Sequence, residues 1–254
     1  MVYIKRFFLM LQFLTILPVR TRFEASPEDY GKGLVFAPAA GLVIGGILAG
    51  VFCLLGFVFP CFIASVFIIV SYIVLTGGLH LDGLGDTFDG VFSNRPKERI
   101  LEIMRDSRVG TNAVLAIAAV LMLDAALLAG VGPSSAAKVI ALMPVAGRIG
   151  SLIGAGSSTY ARSGEGLGKS FIDCCGIKEI ICGLVIYFAI FFIIAGTAGL
   201  VISVIPAICA YILVKLLGRK IGGATGDILG AVCELNQVAF LASAVISQTL
   251  GVRL

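Results

Sequence analysis

The chain has 254 residues, of which 59% are hydrophobic and 13% charged, with a mean hydropathy of +1.07 and a formal net charge of +4. A soluble domain ordinarily carries about 25% charged residues. The composition therefore excludes a soluble globular protein and indicates a polytopic membrane protein, all-α because lipid leaves no backbone polar group unpaired.

The N-terminal stretch "MVYIKRFFLMLQFLTILPVRTRF" has a basic start and an apolar middle, but Pro18 and Arg20 stand where a secretory signal needs small residues for cleavage. A retained N-terminal interfacial helix is expected. Spanning a hydrocarbon core of about 30 Å takes roughly 20 helical residues. The apolar runs give about seven expected transmembrane helices, at 35–59, 61–78, 109–131, 136–157, 177–196, 198–217 and 224–250. With no long soluble segment at either end, residues 1–254 read as a single integral membrane domain.

The basic residues orient this bundle. With the N-terminus in the cytoplasm, sixteen of the nineteen Lys and Arg fall in cytoplasmic segments, including Arg20 and Arg22; Lys138 and Arg253 fall outside and Arg148 within a span. That split follows the positive-inside rule. It predicts a multi-pass protein of the inner (cytoplasmic) membrane whose polar stretches "GGLHLDGLGDTFDG", "MRDSRVGT", "YARSGEGLGKSF" and "GRKIGGATGDILGAVCE" share the cytoplasmic face. The seven cysteines lie mostly inside apolar runs without a C-x-x-C pair, so buried free thiols are expected.

Asp82, Asp86 and Asp89 are spaced i, i+4, i+7 and lie within roughly 60° of one another on a helix. Three carboxylates facing one way beside low dielectric repel one another unless a cation or protons neutralise them. A hard divalent ion such as Mg²⁺, which takes a few carboxylates and keeps waters and phosphate oxygens, suits an all-oxygen set. Asp227 and Glu234 form a second i, i+7 pair, with Glu234 about 10 Å deeper along the last span. A glutamate at that depth calls for a polar cavity or a partner; each of the two acids serves either as metal ligand or base, or as an ion-pair partner of Arg219 or Arg148. Gly222, Gly226 and Gly230 repeat at i+4, a small-residue pattern for close helix approach that would bring this span against the Asp82–Asp89 segment. Arg105, Arg108, Arg219 and Lys220 flank these acids, and cations beside a metal favour phosphate or pyrophosphate. Asp124 reads as structural, and His80 as packing or capping as readily as catalysis.

The stretch "GGLHLDGLGDTFDG" resembles the signature H-x-D-G-x-x-D-x-x-D-G of the cobalamin synthase family, the adenosylcobinamide-GDP ribazoletransferases. "FLTILPV", "FAPAAGLVIG", "RDSRVGT", "YARSGEGLG" and "GGATGDILGA" are similar to other stretches of that family, so the resemblance runs from near the N-terminus to the last span. It implies a Mg²⁺-dependent membrane transferase that joins adenosylcobinamide-GDP to α-ribazole or its 5'-phosphate and releases GMP. In that reading Asp82, Asp86 and Asp89 hold the metal, and Asp227 or Glu234 is a further ligand or the base. The bilayer and the two substrates are then the partners, with no nucleic acid; a homo-oligomer is left open. A CDP-alcohol phosphatidyltransferase resembles this pattern less closely, because the A-R element that should follow D-G is missing after both Asp82-Gly83 and Asp89-Gly90. A cation transporter would place its carboxylates near mid-membrane rather than at one edge.

Overall fold

The computed structural model describes residues 2–19 and 23–252, so Arg20, Arg22 and Arg253 lie outside the described residues. Helix α1 (Val2–Leu14) buries Leu9, Met10, Leu11 and Leu14 and leaves Val2, Tyr3 and Ile4 exposed. Lys5 and Arg6 tie it to Asp29, at 2.6 and 3.2 Å. Asp29 belongs to α2 (Pro27–Gly33), which starts at Ser26 in a capping box, with Pro27 in the first turn where its missing N–H costs nothing. A 3₁₀ turn at Leu34–Phe36 leads into α3 (Ala37–Leu55).

Helix α4 (Cys61–Thr76) stops where Gly77 and Gly78 both take left-handed conformations, φ 63° and 70°, which side-chain-bearing residues adopt at a cost. The chain then turns by 92° into α5 (Leu79–Val91). The short α6 (Lys97–Ile103) precedes α7 (Thr111–Gly130) and α8 (Pro133–Gly156). After α9 (Leu167–Asp173) come α10 (Ile177–Gly218) and α11 (Gly226–Thr249).

Although α10 runs over 42 residues, it breaks at Gly196, with φ 61° and ψ −147°. The Tyr187 hydroxyl donates to the Ser203 carbonyl at 2.9 Å. In a straight helix those residues would sit about 24 Å apart, so the chain doubles back at Gly196. Among the described residues five helices are long and apolar enough to cross a membrane, or six if the bent α4–α5 pair makes one span. The all-helical class expected from the sequence is present, whereas the count of seven is not established. The short helices α2, α6 and α9 were not anticipated, because helices of seven residues leave little periodic signal.

The hub is α8: 94% of its most apolar window is buried, against 22% for α10, which faces outward over most of its length. Helices α3, α10 and α11 pack around it. All seven cysteines are free; Cys175 and Cys233 are buried as expected, but Cys53 and Cys182 lie on the exterior. Burial pushes the Cys175 thiol up to about 12, so it stays protonated and inert at neutral pH.

At one end of the bundle the connecting segments knit together. The backbone N–H of Ala224 donates to the Thr159 carbonyl at 2.8 Å, and that of Ala161 to the Ala224 carbonyl at 2.9 Å. Lys220 Nζ donates to the Val91 carbonyl at 2.8 Å. These bonds hold the loops before α9 and α11 beside the end of α5.

Candidate active site

The site is built where α5 crosses α11. A Cβ added at Gly83 would lie 2.8 Å from the Asp227 carbonyl oxygen, and one at Gly230 would lie 3.2 Å from the His80 carbonyl oxygen. Glycine at both positions lets the two backbones touch. The glycines among the aspartates thus serve helix approach; Gly222 lies outside the helix, in the preceding loop with φ 71°.

This crossing brings Asp82 and Asp227 onto the wall of one cleft of about 250 Å³. Asp86 is half-buried beside them, within electrostatic reach of Asp82, Asp227, Asp89 and Arg162. Asp89 shares the face but is differently engaged: its Oδ2 accepts from the Gly110 N–H at 2.6 Å and its Oδ1 from the Ala113 N–H at 2.9 Å. It caps the N-terminus of α7, whose first N–H groups otherwise lack partners.

The cation that the fold delivers to this cluster is Arg162. Its Nη2 donates to Asp227 Oδ2 at 2.7 Å and to the Met104 carbonyl at 3.3 Å, while the Thr225 hydroxyl reaches the same Asp227 oxygen at 3.3 Å. Arg105 lines a shallow cleft with Arg162. Arg108 is exposed and paired with Asp106 at 2.6 Å, and it holds the Asp106 carboxyl down to about 2. Arg219 lines a separate cleft with Ser157 and Thr159, and Lys220 is bound to Val91 as described. The four basic residues singled out in the sequence thus lie around the cluster without sharing one pocket.

Glu234 lies deeper, 1% exposed, in a closed network. The Tyr72 hydroxyl donates to its Oε1 at 2.6 Å and Gln237 Nε2 to its Oε2 at 2.8 Å. Arg148 Nη1 in turn donates to the Tyr72 hydroxyl at 2.9 Å and to Gln237 Oε1 at 3.2 Å. A tyrosine hydroxyl therefore bridges a buried arginine and a buried glutamate, each of which would be costly alone. His80 Nδ1 stands 4.0 Å from Glu234 Oε1, too far for a hydrogen bond. One ligand atom each from His80, Cys233 and Glu234 lies within 4.8 Å of the others, but the adjacent Arg148 charge opposes a cation there. Asp124 is buried too and does not line the cleft.

Arg162, Arg148, Tyr72 and Gln237 carry more of this geometry than the sequence reveals. Arg162 sits in the quoted "YARSGEGLG" stretch, where it reads as one of many basic residues expected on that side. Arg148 carried a stronger signal, a charge in the middle of an apolar span.

A helical membrane bundle that gathers carboxylates from distant parts of the chain at one polar cleft, over a buried arginine, has the form of an integral membrane enzyme. Residues 6–245 match the family described as cobalamin-5-phosphate synthase, and the chain belongs to that family. It is 58% identical over 241 residues to an adenosylcobinamide-GDP ribazoletransferase from Acetivibrio thermocellus, covering 95% of this chain and 97% of the other. It is 56% identical to one of the same name from Clostridium acetobutylicum, over 95% and 96% of the two chains. No solved structure matches it.

Proposed function

We propose that this chain joins adenosylcobinamide-GDP to α-ribazole or its 5'-phosphate, releasing GMP and completing the nucleotide loop of a cobalamin. The ribazole hydroxyl oxygen attacks the phosphorus attached to cobinamide. A new P–O bond forms, the P–O bond to GMP breaks, GMP keeps the bridging oxygen, and the hydroxyl proton passes to a carboxylate. The observation that carries this reading is the meeting of Asp82 and Asp227 in one cleft, with Asp86 beside them, in a member of this family.

The donors suit Mg²⁺: Asp82, Asp86 and Asp227 offer only oxygens, and Arg162 is the one cation bonded to them among the described residues. Asp82 and Asp86 would hold the ion, which supplies charge neutralisation at the diphosphate. Asp227 serves as proton acceptor: Arg162 and Thr225 fix Oδ2, leaving Oδ1 for the substrate hydroxyl. Asp89 orients α7, Glu234 holds the deep network in place, and Arg105 and Arg162 offset phosphate charge. The sixteen cytoplasmic basic residues support an N-terminus and active site on the cytoplasmic side of the inner membrane.

Purified protein in liposomes, given both substrates with and without Mg²⁺, tests this. GMP release that requires both substrates and the metal is expected. GMP release without ribazole, or none under any condition, overturns the reading.

A further inference from the structure

The cleft that Asp82 and Asp227 line has a composition that a phosphate site would not need. Its walls include Phe13, Leu14, Leu34, Leu79, Phe171 and Leu229, and the buried Arg148 and His80 also line it. The Phe13 and Phe171 ring centroids stand 4.8 Å apart, and both residues line the cleft. Arg148 is wholly buried, and its Nε and Nη2 have no hydrogen-bond partner among the described residues. A buried N–H without a partner is costly, so two on one guanidinium require an account.

Charge weighs against an anion as that partner. Glu234 already balances Arg148 through Tyr72 and Gln237. Arg148 therefore has little charge left to offer, and a phosphate in the apolar part of the cleft would be desolvated without a counter-charge of its own. The cleft's volume, about 250 Å³, is below the range of roughly 300–1,000 Å³ typical for whole drug-sized ligands, so it takes a fragment and excludes a corrin macrocycle.

We infer that this cleft holds the uncharged bicyclic benzimidazole base of the ribazole substrate, with Arg148 donating to its acceptor nitrogen. This rests on the reaction proposed above and adds where the nucleophile binds. The apolar faces of the ring pack on Phe13, Phe171 and Leu79, and its one unsubstituted ring nitrogen accepts from the free guanidinium N–H. The ribose then lies toward Asp82 and Asp227, which places its hydroxyl at the carboxylates rather than in the apolar interior. Arg148 acts as a binding residue here, not as a proton donor.

Equilibrium binding of α-ribazole to the full-length protein in liposomes, without the corrinoid substrate, tests the inference. Leu79→Trp narrows the cleft and Phe13→Ala removes part of its aromatic wall; each is expected to weaken α-ribazole binding about tenfold and to leave the KM for adenosylcobinamide-GDP within twofold. Free 5,6-dimethylbenzimidazole is expected to compete with α-ribazole, and inorganic pyrophosphate is not. Unchanged α-ribazole affinity in both variants, or displacement by pyrophosphate but not by the free base, overturns the assignment. GMP release on the same preparations separates the two ideas. Normal release with indifferent ribazole affinity sinks the base pocket alone, whereas ribazole binding that the variants weaken, without any GMP release, sinks the reaction alone.

Discussion

Arg162 Nη2 lies 2.7 Å from Asp227 Oδ2, joining the loop before α9 to the first turn of α11. Both side chains are largely shielded from solvent, at 12% and 23% exposure, so the pair is screened less than a surface bridge. Through it a loop distant in sequence sets the position of a cleft carboxylate.

Arg162→Ala is expected to lower kcat/KM for GMP release by about a hundredfold, because it removes the cation nearest the carboxylates and frees Asp227 to move. Arg162→Lys should recover part of that loss by restoring charge without the planar fork. Steady-state kinetics on liposome-reconstituted protein reads both.

Gly83→Ala is expected to destabilise the protein by about 1–3 kcal/mol, since its methyl group would sit 2.8 Å from the Asp227 carbonyl oxygen. GMP release should fall with it as α5 and α11 are pushed apart. Gly46→Ala is the matched control: no heavy atom lies within 4 Å of its Cβ, and the helix gains up to about 1 kcal/mol. Thermal unfolding in detergent distinguishes them.

Asp89→Asn separates capping from metal binding. The amide keeps one acceptor for the start of α7, so a stability loss of about 0.5–2 kcal/mol is expected, with GMP release reduced far less than in Asp86→Asn. Comparing the Mg²⁺ dependence of the two variants decides the matter: a shift in Asp86→Asn alone supports the cap.

Tyr72→Phe removes the hydroxyl that links Arg148 and Glu234. The loss is expected to be about 1–3 kcal/mol, the cost of leaving buried polar groups without a partner. A denaturation midpoint equal to the parent protein's would show that Gln237 alone sustains the network.

Much of this was legible beforehand, and the reasons differ by residue. The aspartates of α5 show themselves by helical spacing in a chain with few charges, and Glu234 by its depth. The break at Gly196 was visible as a boundary between two apolar runs, since a left-handed glycine punctuates the pattern. The division of labour among the acids was not. Asp89 and Asp82 share a helix face, and only the approach of α7 shows that one meets backbone N–H groups while the other meets the cleft. Arg162 was hidden for a related reason: a basic loop residue near a membrane is the default, so its pairing with Asp227 leaves no local mark. The cleft assembles residues from α1, the Leu34–Phe36 turn, α3, α5, α8, α9 and α11, and no window of sequence contains it.

GMP release by Asp82→Asn and by Asp227→Asn, each compared with the parent protein at saturating Mg²⁺ and with unfolding midpoints measured alongside, tests the shared carboxylate site most directly. Both variants are expected to lose at least about a hundredfold in turnover while remaining folded. Near-parental turnover in either folded variant would contradict a site formed jointly by α5 and α11.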